Sequence, residues 1–206
     1  MRLGAPIFTE YRTPEEWARA VVDKGYRAAY CPVKAGAALS EIRSYAEAAA
    51  KNDIVIAETG AWSNPLNPEP EEKKKALYHC CGQLRLADEI GARCCVNIAG
   101  SKNPNRWDGP HPDNFTAETF DEIVTTVRHI IDTVRPERTY YTLEPMPWIF
   151  PDTADSYLDL IRAVDRDRFA VHIDIVNTIR TPREHYRNAD LIREWFAKLG
   201  PHIRSC

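Results

Sequence analysis

Buried-strand patterns alternate with amphipathic-helix patterns from the first residues of this chain to the last. That alternation constrains the fold more than any other feature, because parallel strands need a crossover between them and a helix usually supplies it. Residues 2–8 read as a strand. Thr13-Pro14-Glu15-Glu16 then writes a helix start, with Thr13 as N-cap, Pro14 in the first position and Glu16 closing a capping box. Residues 27–31 read as a second strand, and Ser40 is expected to cap a helix carrying Ile42, Tyr45, Ala46 and Ala49. A third strand spans residues 53–58, followed by a proline-rich loop at 64–70 and a long helix with Leu77, Cys80, Cys81, Leu84 and Ile90 at helical spacing. Gly91 stops that helix. A fourth strand at 93–100 leads into a long loop, after which Thr116 caps a helix. Phe115 and Phe120 are placed there as a hydrophobic staple, and Ile123, Val124, Val127, Ile130, Ile131 and Val134 form its stripe. A fifth strand, a helix capped by Thr153, a sixth strand and a last helix over about residues 188–199 complete the series. Residues 202–206 open a seventh strand.

Six strand–helix units leave two topologies, an open doubly wound sheet and a (β/α)8 barrel, the TIM barrel. No Gly-x-Gly-x-x-Gly or Walker loop follows the first strand, which weakens the nucleotide-binding form of the open sheet. The long loops, the prolines and the unexplained acids all follow strands, where a barrel builds its active site. The expectation is therefore an α/β barrel in a single domain, residues 1–206, truncated at the C-terminus: Cys206 falls inside a strand pattern, and two strands with their helices are missing.

Bulk properties narrow the function classes. A formal charge of −3 gives no basic field for nucleic acid. No apolar run approaches the ~20 residues that span a membrane. The first residues lack a signal-peptide core, so the reading is cytoplasmic. None of the six cysteines has Cys-x-x-Cys spacing, and buried thiols are expected rather than a zinc or redox site.

Two stretches carry chemistry, Tyr140 to Trp148 and Phe169 to Asn177. Each reads as a buried strand with one carboxylate near its end, Glu144 and Asp174. An ionised carboxylate in such a place is costly unless a cation or hydrogen bonds compensate it. Period-2 alternation puts Tyr140, Thr142 and Glu144 on one face and Tyr141 and Leu143 on the other. The same count joins His172 with Asp174. Two neighbouring strands ending in acids suggest a shared polar pocket around a metal.

Glu-Thr-Gly-Ala-Trp-Ser-Asn-Pro at 58–65, Val-Asn-Ile-Ala-Gly-Ser at 96–101, Leu-Glu-Pro-Met-Pro-Trp at 143–148 and His-Ile-Asp-Ile-Val-Asn at 172–177 resemble the xylose isomerase-like barrel superfamily. Within it they are most similar to the sugar phosphate isomerase/epimerase family. The resemblance implies one divalent metal, with Mn2+ or Mg2+ favoured and Co2+ or Zn2+ allowed, held by Glu144 and Asp174. The family's further ligands, a His after the seventh strand and a Glu after the eighth, would fall beyond Cys206. It also implies an enzyme that isomerises or epimerises a sugar or sugar phosphate through a metal-bound enediolate, with Glu144 as a catalytic proton carrier. Asn177 would reach substrate hydroxyls.

Other residues are substrate-binding candidates on their own chemistry. Glu58 ends the third strand, on the inward parity of Ile54 and Ile56, and could bind substrate or brace the rim. Trp62, Trp107 and Trp148 lie in loops after strands, where a flat apolar face can stack on a sugar, and Trp62 and Trp107 are kept as binders. His111 could donate to a sugar oxygen or phosphate, and His172 faces the acid pocket. Asn97 is placed inward with Cys95. A dehydratase of an inosose-like polyol ketone and a non-catalytic fragment are the alternatives. An endonuclease IV-like nuclease is disfavoured, because the second to fourth strands end without histidine. The expected partner is a small sugar, with no nucleic acid or membrane, and a homo-oligomer is allowed.

Overall fold

The computed structural model describes residues 1–206. Seven strands, β1 (Gly4–Ala5), β2 (Ala28–Tyr30), β3 (Val55–Gly60), β4 (Cys94–Asn97), β5 (Tyr141–Leu143), β6 (Phe169–His172) and β7 (Ile203–Ser205), form one parallel sheet in sequence order. Helices α1 (Pro14–Asp23), α2 (Leu39–Lys51), α3 (Pro70–Ile90), α4 (Ala117–Val134), α5 (Ala154–Val164), α6 (Pro182–Tyr186) and α7 (Asn188–Leu199) connect them. The sheet curls. Glu58 on β3 meets His172 on β6 at 3.3 Å, and Cys94 on β4 meets Ser205 on β7 at 3.1 Å. A flat sheet would hold strands three places apart at about 14 Å. The result is an α/β half-barrel of the TIM type with no strand beyond the seventh, as the unit count anticipated.

The faces of the sheet divide the chain. Outward residues, among them Cys95, Tyr141, Leu143, Phe169 and Val171, join the helices in a core cluster of 40 buried residues. No helix is long and apolar enough to cross a membrane.

Local signals decide most element ends. Thr13, Thr116 and Thr153 each accept a backbone N–H three residues on, and Gly91 ends α3 at a φ of 77° in the left-handed region. Several expectations need correction. Ser40 lies inside α2 and Ala38 is the N-cap, without a side-chain bond. Glu16 reaches back to the Arg12 N–H, one residue before the cap. Phe115 and Phe120 each meet Phe150 edge-on, at 5.2 and 5.6 Å between centroids. The strands are shorter than the apolar runs that announce them, and α6 follows its own capping box at Thr181 and Glu184.

Candidate active site

The inner face gathers polar groups at the C-terminal end of the strands. Its geometry depends on an irregularity in β3. Ala29 pairs with Ile56 but the next residue, Tyr30, pairs with Glu58, so Ala57 is bulged out of register. The bulge reverses the parity expected from the sequence. Ile54 and Ile56 pack in the outer core, whereas Glu58 pairs with Cys94 and turns inward. Glu58 is 5% exposed, and its Oε2 makes no hydrogen bond of regular geometry.

His172 stands at the centre. Its Nδ1 lies 2.7 Å from Ser205 Oγ and 3.3 Å from Glu58 Oε2, and its Nε2 lies 3.6 Å from Glu144 Oε2. The other oxygen of Glu144 accepts a 2.8 Å hydrogen bond from Asn177 Nδ2. Both acids singled out in the sequence sit just past their strands rather than inside them. Asp174 Oδ1 accepts the backbone N–H groups of Val176, at 2.8 Å, and Asn177, at 3.3 Å. That turn brings Asn177 back over β5, so Glu58, Glu144, His172 and Asn177 form one connected group with Asp174 beside it.

The two glutamates respond oppositely to the pocket. Burial raises the Glu144 carboxyl, and the charges of Asp174 and Glu58 add to it while His172 and Asn177 oppose, leaving it above the usual glutamate range. Burial works the same way on Glu58, but His172, Tyr30 and Ser205 outweigh it and hold Glu58 below that range. Burial and the Glu58 carboxylate push the Tyr30 hydroxyl up, and burial pushes the Cys94 thiol to about 12, so both stay protonated.

The remaining candidates separate. Trp62 is 41% exposed, and its indole lies against Gly60, where an added Cβ would approach Nε1 to 2.3 Å. Gly60 follows Glu58 by two residues on β3, so this indole covers the inner face above the buried acid. The loop beneath it is anchored: Ser63 N–H donates to Asn97 Oδ1 at 3.1 Å, and Asn64 ties the loops after β3 and β4 through Ser101 at 2.8 Å. Trp107 is exposed in the loop after β4. His111 Nδ1 caps a short 3-10 helix through the Asp113 N–H. Trp148 Nε1 donates to the Asp108 carbonyl at 2.7 Å, which is loop structure. Asn97 and Cys95 point outward, toward Cys80 on α3, and not into the pocket as expected.

Sequence reasoning missed Tyr30 and Ser205. Tyr30 carried a weak signal, a phenol at the end of a short strand. Ser205 carried none, because a second register shift, between Val171 and His172, sets it opposite His172.

Glu144 and Asp174 offer oxygen donors of the kind a hard divalent ion takes, and their mutual repulsion is what such an ion relieves. No group of three or more His, Cys, Asp or Glu side chains is arranged to hold a metal.

A curled parallel sheet with its polar pocket at the strand ends is the architecture of barrel enzymes. The chain belongs to the xylose isomerase-like TIM barrel family, whose model matches residues 18–204. Among solved structures it is similar to D-psicose 3-epimerase with D-tagatose from Clostridium cellulolyticum H10, at a TM-score of 0.70 and 15% identity, covering 98% of this chain and 71% of that one. It is also similar to the probable 3-DHS dehydratase AsbF from Bacillus anthracis, at 0.69 and 14%, covering 98% and 71%. A xylose isomerase-like TIM barrel protein from Mycobacterium smegmatis, in complex with magnesium, aligns at 0.63 and 18%, covering 98% and 72%. No curated protein matches the sequence.

Proposed function

We propose that this chain carries the site of a divalent-cation-dependent isomerase or epimerase of a sugar or sugar phosphate, with Glu144 moving the proton. The observation that carries this reading is Glu144 itself. It is a half-buried acid at the open end of the strands, beside Asp174, with one oxygen bonded to Asn177 and the other facing His172. Removing a hydrogen next to a carbonyl needs a base within hydrogen-bond reach. In an isomerisation the same carboxyl can return the proton, whereas an epimerisation needs a second acid on the opposite face, with Glu144 as one member of the pair. A carboxyl held above its usual range serves that exchange better than an ordinary one. A divalent cation held by Glu144 and Asp174 would polarise the substrate carbonyl.

The other side chains bind and orient. Trp62 offers a flat apolar face for a sugar ring, and Asn177 and His172 offer groups for its hydroxyls. Glu58 stands behind them, and Trp107 and His111 are carried by the loop after β4. The similar D-psicose 3-epimerase structure supports this reading at the level of fold. The test is exchange: the chain with Mn2+ and a panel of ketoses and their phosphates in deuterated water should place deuterium at the carbon beside the carbonyl, read by NMR. No exchange with any member sinks the proposal. Loss of water with a new enone absorbance would instead select the dehydratase reading, which the likeness to AsbF favours.

A further inference from the structure

We propose that Glu58 is a positioning residue for Glu144 and acts through His172. The inference rests on the reading above that Glu144 moves the proton, and it adds the device that aims its carboxylate. Each Glu144 oxygen faces one side chain: Asn177 Nδ2 at 2.8 Å from Oε1, and His172 Nε2 at 3.6 Å from Oε2. The second oxygen thus faces the imidazole, whose orientation sets the polar environment it meets. His172 is only 8% exposed and is gripped on its far side, by Ser205 Oγ at 2.7 Å and Glu58 Oε2 at 3.3 Å.

A rival explanation is that Glu58 merely braces the half-barrel. Bracing works through regular hydrogen bonds to the frame, whereas Glu58 Oε2 is buried with none of regular geometry and faces the His172 ring at 3.3 Å. A buried carboxylate in that condition weakens the fold relative to an apolar side chain of similar size. The bulge at Ala57 is a further irregularity, and its effect is to turn this one acid away from the outer core and toward the imidazole. Both features have a use if the ring must be held in one orientation. The arrangement follows a general logic in which a group that contacts the reacting atoms is oriented by a buried partner behind it.

The experiment uses the full chain, with Glu58→Ala, Glu58→Gln and wild type compared by rate, Mn2+ affinity and 15N NMR of the His172 ring. A misaimed base should lower kcat about 10- to 100-fold. KM and Mn2+ affinity should hold, and Glu58→Gln, which keeps an oxygen facing Nδ1, should recover most of the rate. The His172 ring signals should shift and broaden in Glu58→Ala. An unchanged kcat with unchanged ring signals overturns the proposal, and so does a loss of rate that glutamine does not rescue while the ring signals stay put. If wild type catalyses no exchange, the proposed function fails alone. The NMR comparison still decides this inference, since identical ring spectra in wild type and Glu58→Ala overturn it. If Glu58→Ala does not fold, Glu58→Gln carries the test: its Nδ1 resonance must move because the facing charge is gone, and a static resonance overturns the proposal.

Discussion

Cys94 and Cys95 are adjacent in sequence and lie in opposite regions of the molecule. Cys95 joins the layer between sheet and helices, within the 40-residue cluster that includes Tyr141, Cys80 and Leu84. Cys94 points the other way, to within 3.1 Å of Ser205, beneath the pocket of Glu58, His172 and Glu144. The outer region is stabilised by apolar area removed from water. The inner region carries buried charge, which weakens folding and which the proposed chemistry would use. Substitutions should therefore separate by face: outward positions change stability, and inward positions at the strand ends change activity.

The largest expected effect is on the inner side. Glu144→Gln keeps shape and one acceptor but cannot take a proton, so kcat in the exchange assay should fall about 10²- to 10⁴-fold. Stability should move the other way at neutral pH. The carboxyl of Glu144 is held above its unfolded value, so its ionised form is disfavoured in the native state and the penalty grows as pH rises through the folded pKa. Replacing it with a neutral amide removes that penalty. Urea unfolding at pH 7 should find the variant as stable as wild type or more so, and a clear loss of stability would erase the distinction between the faces.

The outer face should show the reverse. Leu84 on α3 is fully buried in the core cluster, and Leu84→Ala should lower unfolding free energy by about 2–5 kcal/mol. Per folded molecule, the turnover rate should be unchanged. A rate that fell with stability intact would show that the outer layer reaches into the site.

How much of this division could be read beforehand depended on whether a residue obeys local rules. The outer face did: the stripe from Ile123 to Val134, the caps at Thr13, Thr116 and Thr153 and the stop at Gly91 are local signals, and the structure contains them. Parity across β5 was also legible, with Tyr141 and Leu143 outward and Glu144 in the pocket. Parity failed at Glu58, where a register irregularity intervenes, and at Asn97, where none does. The bulge at Ala57 reverses the face of Glu58 relative to Ile56, and counting by twos from Cys95 to Asn97 kept the pair together but chose the wrong side. A bulge is set by the neighbouring strand, so one strand's sequence does not announce it. Ser205 is the extreme case, since its partner His172 lies 33 residues earlier and only the pairing of β6 with β7, across a register shift, sets the two opposite each other.

The smallest expected effect tests whether an acid must be inward to matter for chemistry. Glu122 on α4 lies at the rim, bonded to Lys73 on α3 at 2.6 Å and to Lys102 in the loop after β4. Burial works to raise its carboxyl, but the two lysines outweigh it and hold it below the usual glutamate range. Its sign is thus opposite to that of Glu144. As pH falls, the unfolded chain takes up this proton before the native one, so the contribution is complete above the ordinary glutamate pKa and is lost as pH drops through the lower folded value. Glu122→Gln should remove about 1 kcal/mol or less at pH 7, and less again in high salt, because the pairs are partly exposed. Its stability curve should converge on that of wild type in acid, with exchange activity unaltered throughout. An activity loss in this variant would mean that the rim lysines, freed of their carboxylate, disturb the loop after β4, and the boundary between the two regions would have to be drawn further out.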